Sequence, residues 1–144
     1  MLPVIRTRNI SVVLATTQEK HAPVGLDAMA VQEIDHPEEM ERCINSCFEA
    51  AEVCEWCADE CADHGEEMAE CLRLCWDVAD LATQCARMCS RGSTFHTDTA
   101  ELCAEACEAC AEECEQHDHE HCQVCAQYLQ ECAETCRNMV SETS

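Results

Sequence analysis

The chain has 144 residues, 17 of them cysteine, and sets 30 Asp and Glu against 8 Lys and Arg for a formal net charge of -22. That balance excludes nucleic acid and anionic membrane surfaces as partners, since both demand basic patches, and no run approaches the ~18 apolar residues of a membrane span. Apolar residues make up 47%, enough for the core of one domain, but Ala and Cys dominate that share and only two Trp, one Tyr and two Phe are present, so a conventional oily core would be thin.

Residues 1–34 show no sustained period, with a β-leaning stretch at 4–14 and breakers at Pro23 and Gly25. They read as an irregular, flexible N-terminal extension, within which Met29 is a second candidate start. The run SVVLA is too short for a signal-peptide core, and Arg6 and Arg8 are separated rather than twinned. The reading is therefore cytoplasmic, where a reducing pool keeps thiols free, and an odd number of cysteines cannot all pair within one chain. Asp35-His36-Pro37-Glu38 reads as a helix opening, with a capping Asp, an early Pro and a Glu three residues after the cap. The first helix runs from there to about Asp63, and Gly65 breaks it. A second spans roughly 66–90 and stops at Arg91-Gly92-Ser93. A third covers about 97–116, and HDHEH turns the chain into a fourth at roughly 120–140. Short connections favour antiparallel neighbours, so residues 35–144 are expected to form an all-α, up-down-up-down four-helix bundle with a Cys-lined core.

A strict four-three step laid on each helix selects its inner seam. The first helix gives His36, Met40, Cys43, Cys47, Ala50, Cys54, Cys57, Cys61 and His64. The second gives Met68, Cys71, Cys75, Val78, Ala82, Cys85 and Cys89. The third gives His96, Ala100, Cys103, Cys107, Cys110, Cys114 and His117, and the fourth gives Cys122, Cys125, Leu129, Cys132, Cys136 and Met139. All seventeen cysteines fall on a seam, whose ends carry His and Met. A generic small apolar residue would not segregate so completely.

Same-helix residues three or four apart sit about 5–6 Å between Cβ atoms on one face of a rigid rod. Disulfides in such rods strain the helix. The CxxC matches at Cys54/Cys57, Cys107/Cys110 and Cys122/Cys125 are embedded in helix and overlap CxxxC pairs, so they are seam spacing rather than zinc knuckles. The looped, proline-ended run of an iron–sulfur ferredoxin is absent, as are CxC repeats. A lumen of thiolates capped by Met and His is a soft-ligand environment that selects Cu(I). Each thiol gives up a proton as Cu(I) arrives, so the lumen gains no net charge at about one metal per cysteine.

The segments ERCINSCFEAAEVCEWCADEC (41–61), CAEACEACAEEC (103–114) and HDHEHCQVCAQYLQECAETC (117–136) carry a resemblance. Over about 40–140 the chain resembles the cysteine-rich four-helix-bundle copper storage proteins, in particular their cytosolic branch. The resemblance implies many Cu(I) ions inside the bundle, His and Met at its mouth assisting entry and release, and association as a homotetramer. Ala50, Val78, Ala82 and Leu129 depart from the pattern, at seam positions where family members can carry cysteine. Fewer sites and a small apolar plug are expected there.

In an antiparallel bundle one end gathers His36, Met40, Met88, His96 and Met139, and the other His64, Met68, His117, His119 and His121. The sequence favours the HDHEHC end as the mouth. The expected metal set is thus the seventeen cysteines with His117, His121, His64 and Met68, while Trp56 and Trp76 pack at the seam edge or in a subunit contact. The leading function is a cytosolic Cu(I) store that serves copper-accepting proteins. A copper chaperone would need only one or two exposed sites, and a thiol redox or electron-transfer protein at least one accessible, low-pKa thiol. No nucleophile, base and oxyanion set marks an enzyme. Lys20 is the sole lysine, and with the acidic excess it points to halophilic adaptation, in which salt screens self-repulsion. The melting temperature is then expected to be higher in multimolar KCl than in low salt, and equal melting in both would refute that reading.

Overall fold

The computed structural model describes residues 35–143. The expected N-terminal extension, with its β-leaning stretch, lies outside them. Four helices follow: α1 at Glu38–Cys61, α2 at Ala69–Ser90, α3 at His96–Glu115 and α4 at Glu120–Thr143. No helix among the described residues is long and apolar enough to cross a membrane.

The start of α1 differs from the capping expected at Asp35. Pro37 holds the cap position with extended backbone (φ -55°, ψ 151°), and no side chain caps the helix. Its carbonyl accepts the Glu41 N–H at 3.0 Å. A proline there has no amide N–H to leave unpaired, and Glu38, Glu39 and Glu41 place negative charge against the positive end of the helix. Arg42 then bridges Glu38 and Glu39 at 3.1 and 3.0 Å.

A 3-10 segment, Ala62–Met68, joins α1 to α2, so α2 begins later than the expected residue 66. Gly65 lies at φ 73°, ψ -151° within it, a region in practice open only to glycine. At the other end of α2, Gly92 has φ 64°. The Ser93 N–H bonds to the Met88 carbonyl at 2.9 Å and the Gly92 N–H to Cys89 at 3.2 Å. This is a Schellman ending, in which glycine takes the left-handed position and two terminal carbonyls are satisfied.

Helix α1 packs against α2 and α4, and α3 against the same two, so the four rods stand at the corners of a square. Consecutive helices are antiparallel, giving the up-down-up-down bundle expected from the short connections. Across the outside, Arg137 on α4 donates twice to Glu108 on α3 at 2.8 and 3.0 Å, and Ser46 on α1 is hydrogen-bonded to Thr135 on α4. Inside, the seams meet as a core of cysteine and alanine. Ala58, Ala79, Ala86, Ala104, Ala111, Ala126 and Ala133 flank the inward thiols and are themselves buried. Such small side chains let the rods approach closely, leaving sulfur as the main filling of the interior.

Nothing lies within 4 Å of a Cβ added at Gly65, so replacement there tests backbone conformation alone. Gly65→Ala is expected to destabilise the metal-free bundle by about 1–3 kcal/mol, the cost of a non-glycine residue in a sparsely allowed region. Urea unfolding followed by circular dichroism measures it, and an unchanged midpoint would show that the turn relaxes freely.

Candidate metal centre

Because cysteine recurs at steps of four and three, each helix presents its thiols along one inner stripe. All seventeen are free thiols and none is more than 1% exposed. They form two sets. Toward the α2–α3 turn lie Cys43 and Cys47 of α1, Cys85 and Cys89 of α2, Cys103 and Cys107 of α3, and Cys132 and Cys136 of α4. Toward the α3–α4 turn lie Cys54, Cys57 and Cys61 of α1, Cys71 and Cys75 of α2, Cys110 and Cys114 of α3, and Cys122 and Cys125 of α4.

In the first set, Cys43 and Cys47 lie 3.6 and 3.7 Å from Cys136, and Cys132 lies 3.8 Å from Cys47. In the second, Cys71 lies 3.5 Å from Cys114 and 3.9 Å from Cys122, while Cys75–Cys110 and Cys54–Cys125 close at 3.7 and 3.9 Å. Four-membered groups whose ligand atoms all lie within 4.8 Å of one another are present in both. Cys43, Cys47, Cys85 and Cys136 form one in the first set; Cys57, Cys71, Cys114 and Cys122 form one in the second. A metal–thiolate bond of about 2.3 Å reaches between sulfurs up to about 4.6 Å apart. The inter-helix gaps therefore suit bridging metal without movement of the rods.

Between the sets, Ala50 of α1, Val78 and Ala82 of α2 and Leu129 of α4 are fully buried and carry no metal-binding atom. Helix α3 alone has thiols on both sides at close spacing, Cys107 and Cys110. Cys107 is pushed up in pKa by Cys103 and then Cys132, its neighbours in the first set, and Cys110 by Cys114, Cys125 and Cys54, its neighbours in the second. Each interacts with its own side.

At the α3–α4 end the 3-10 segment brings His64 against the HDHEH turn. The rings of His64 and His119 are 4.4 Å apart, those of His119 and His121 5.2 Å, and those of His64 and His121 5.9 Å. His121 is buried, and its Nε2 lies 3.7 Å from the Cys61 sulfur. Burial lowers its pKa, with His119 adding to the effect, which favours the neutral imidazole a soft metal requires. Met68 is fully buried at this end, and Trp56 meets His121 edge-on at 6.3 Å. His117 stands on Glu113 instead, with Nε2 2.9 Å from the carboxylate. His119, outside the expected ligand set, is the member that completes the stack. Its signal was the alternating HDHEH itself, which crosses an extended turn before entering α4. At the opposite end His36 and His96 pack on the α2–α3 turn, and Met139 is buried.

A family model described as copper storage protein matches residues 36–141. The chain belongs to the copper storage protein family. Apo copper storage protein 3 from Bacillus subtilis is 38% identical with a TM-score of 0.65, the match covering 69% of this chain and 97% of that one. The Streptomyces lividans copper storage protein Ccsp, in a structure loaded with 10 copper equivalents, is 33% identical with a TM-score of 0.71, covering 76% and 88%. A Nitrosospira multiformis protein matches at 31% identity and a TM-score of 0.67, over 73% and 97%. No functionally curated protein matches.

Burial is the largest influence on Cys61, pushing its thiol up to about 12, and it raises Cys122 as well. Their folded values lie above the unfolded value of about 8.5, so this stabilisation is complete below about pH 8.5 and is lost as pH rises through the folded values. Under reducing, metal-free conditions the urea midpoint is expected to fall between about pH 8.5 and 12. Cys61→Ala should make that fall shallower; a flat midpoint in the parent protein would contradict the assignment.

Proposed function

We propose that the protein is a cytosolic Cu(I) store in which all seventeen cysteines serve as ligands, with His64, His121 and Met68, joined by His119, assisting entry and release at the α3–α4 end. His117, held on Glu113, serves this end as an entry relay. The observation that carries the reading is the complete burial of seventeen free thiols in groups small enough to share metal. Capacity is what such a core offers: a chaperone that passes on one ion has no use for thiols so far from solvent. A redox protein needs at least one thiol within reach of its partner.

The chemistry is proton-for-metal exchange. The empty lumen is lined by neutral S–H groups that pack as small apolar side chains. An arriving Cu(I) takes a thiolate and releases its proton, so the interior stays close to neutral as it fills, and burial of net charge does not limit loading. The acidic outer surface attracts cations toward the bundle. The store serves copper-accepting partners and assembles as a homotetramer, a reading supported by exposed Phe48, Trp76, Leu102 and Tyr128, which supply apolar contact area.

Anaerobic titration of the reduced protein with Cu(I) against a strong chelator is expected to saturate at about one equivalent per cysteine. Replacing Cys103, Cys107, Cys110 and Cys114 by Ala should remove several equivalents while keeping most helicity, because alanine is the better helix former. Saturation at one or two equivalents in the parent protein would favour the chaperone, and loss of fold in the variant would mean that these residues act mainly as packing.

A further inference from the structure

We infer that the core is two separate Cu(I) compartments, one of eight thiols and one of nine, and that each fills through its own end of the bundle. The inference rests on the storage reading and adds to it a division of the cargo and a second port.

The division follows from the buried layer between the thiol sets. From Cys47 to Cys54 on α1, and from Cys125 to Cys132 on α4, consecutive thiols are seven positions apart, about 10.5 Å at 1.5 Å per residue. From Cys75 to Cys85 on α2 the gap is ten residues, about 15 Å. Ala50, Val78, Ala82 and Leu129 fill that space and are fully buried. A Cu(I) ion crossing them would leave its thiolates for hydrocarbon, and an unpaired charge in such surroundings is strongly disfavoured. Helix α3 alone crosses the layer, by the single step Cys107 to Cys110, and the sulfur–sulfur contacts of 3.5–4.0 Å stay within one set or the other. A metal ion admitted at one end therefore reaches the other only through that single two-sulfur step.

The second port is at the α2–α3 end. His36 Nε2 donates to the Ser90 carbonyl at 3.1 Å, and His96 Nδ1 donates to the Ser93 carbonyl at 2.7 Å. The remaining nitrogens, His36 Nδ1 and His96 Nε2, are buried without a hydrogen-bond partner. His36 Nδ1 has the Glu41 carboxylate at 3.5 Å, close enough to pair with it only when the imidazole is protonated. A backbone carbonyl that fixes one ring nitrogen as donor, leaving the other with a free lone pair, is the support found behind metal-binding histidines. The same end of the bundle carries sulfur: Met88 Sδ accepts a hydrogen bond from Thr99 at 3.1 Å, and Cys89 immediately precedes Ser90 in α2. The eight-thiol compartment thus has imidazole and thioether donors at its own end, as the nine-thiol compartment has His64, His119 and His121.

The test is loading kinetics of the full chain, reduced and anaerobic, with a weak Cu(I)–chelator complex as donor and thiolate–copper absorbance as readout. In H36A/H96A, close to half the absorbance should develop about tenfold or more slowly, the scale on which lost ligand support weakens a metal site, and the rest at the parent rate. H64A/H119A/H121A should slow the other half. Adding A50C/L129C to H36A/H96A should restore fast loading by carrying metal across the apolar layer, and circular dichroism checks that each variant keeps its helicity. Unchanged kinetics in H36A/H96A, or slowing of the entire signal in H64A/H119A/H121A, would overturn the two-compartment assignment while full equilibrium capacity left the storage reading standing. An equilibrium capacity of one or two equivalents would end both.

Discussion

Everything in this bundle depends on a side chain that is apolar when empty and ionic only when a cation is present to match it. A buried carboxylate cannot do this, because its charge precedes its partner and must be compensated from the start. A buried thiol can, since burial keeps the proton on sulfur until metal displaces it, and Cys61 and Cys122 show that tendency most directly. On the storage reading the same residue is core and ligand in turn, and the bundle needs no separate hydrophobic interior alongside its metal-binding one.

That choice has a structural consequence. Cysteine and alanine bury little area each, so a core made from them gains less from burial per residue than one of Leu and Phe. The bundle offsets this with long, regular rods rich in good helix formers and with close approach between them, permitted by the flanking alanines. Larger side chains are confined to mid-height, Val78 and Leu129, and to the ends, Met68 and Met139. Exposed ion pairs such as Arg137 with Glu108 add little energy and chiefly mark which rods are neighbours.

Much of this was legible in the chain because the signal was periodic. A four-three step repeated on four segments fixes which face is inner, and every cysteine on it is buried. Helix ends set by glycine could also be read, since Gly65 and Gly92 both adopt positive φ. What could not be read were choices decided between elements rather than along one. Asp35 has the chemistry of a cap, but the helix begins after Pro37, where the fixed ring geometry sets the first turn. His117 and His119 are equivalent by composition; only the approach of the α1–α2 segment brings His64 to His119 and leaves His117 to Glu113. The departures at Ala50, Val78, Ala82 and Leu129 were visible one by one. That they lie at one level of a square bundle needed the antiparallel pairing of all four helices.

The side chains of those four residues carry no atom that a soft metal would seek, so the contacts among them are the same whether the store is vacant or full. Elsewhere in the interior, filling replaces sulfur–hydrogen contacts with metal bonds across gaps that already suit them. A waist of alanine, valine and leucine gives the helices a fixed register about which both halves can fill, so cargo accumulates without the scaffold having to find a new arrangement at each stage.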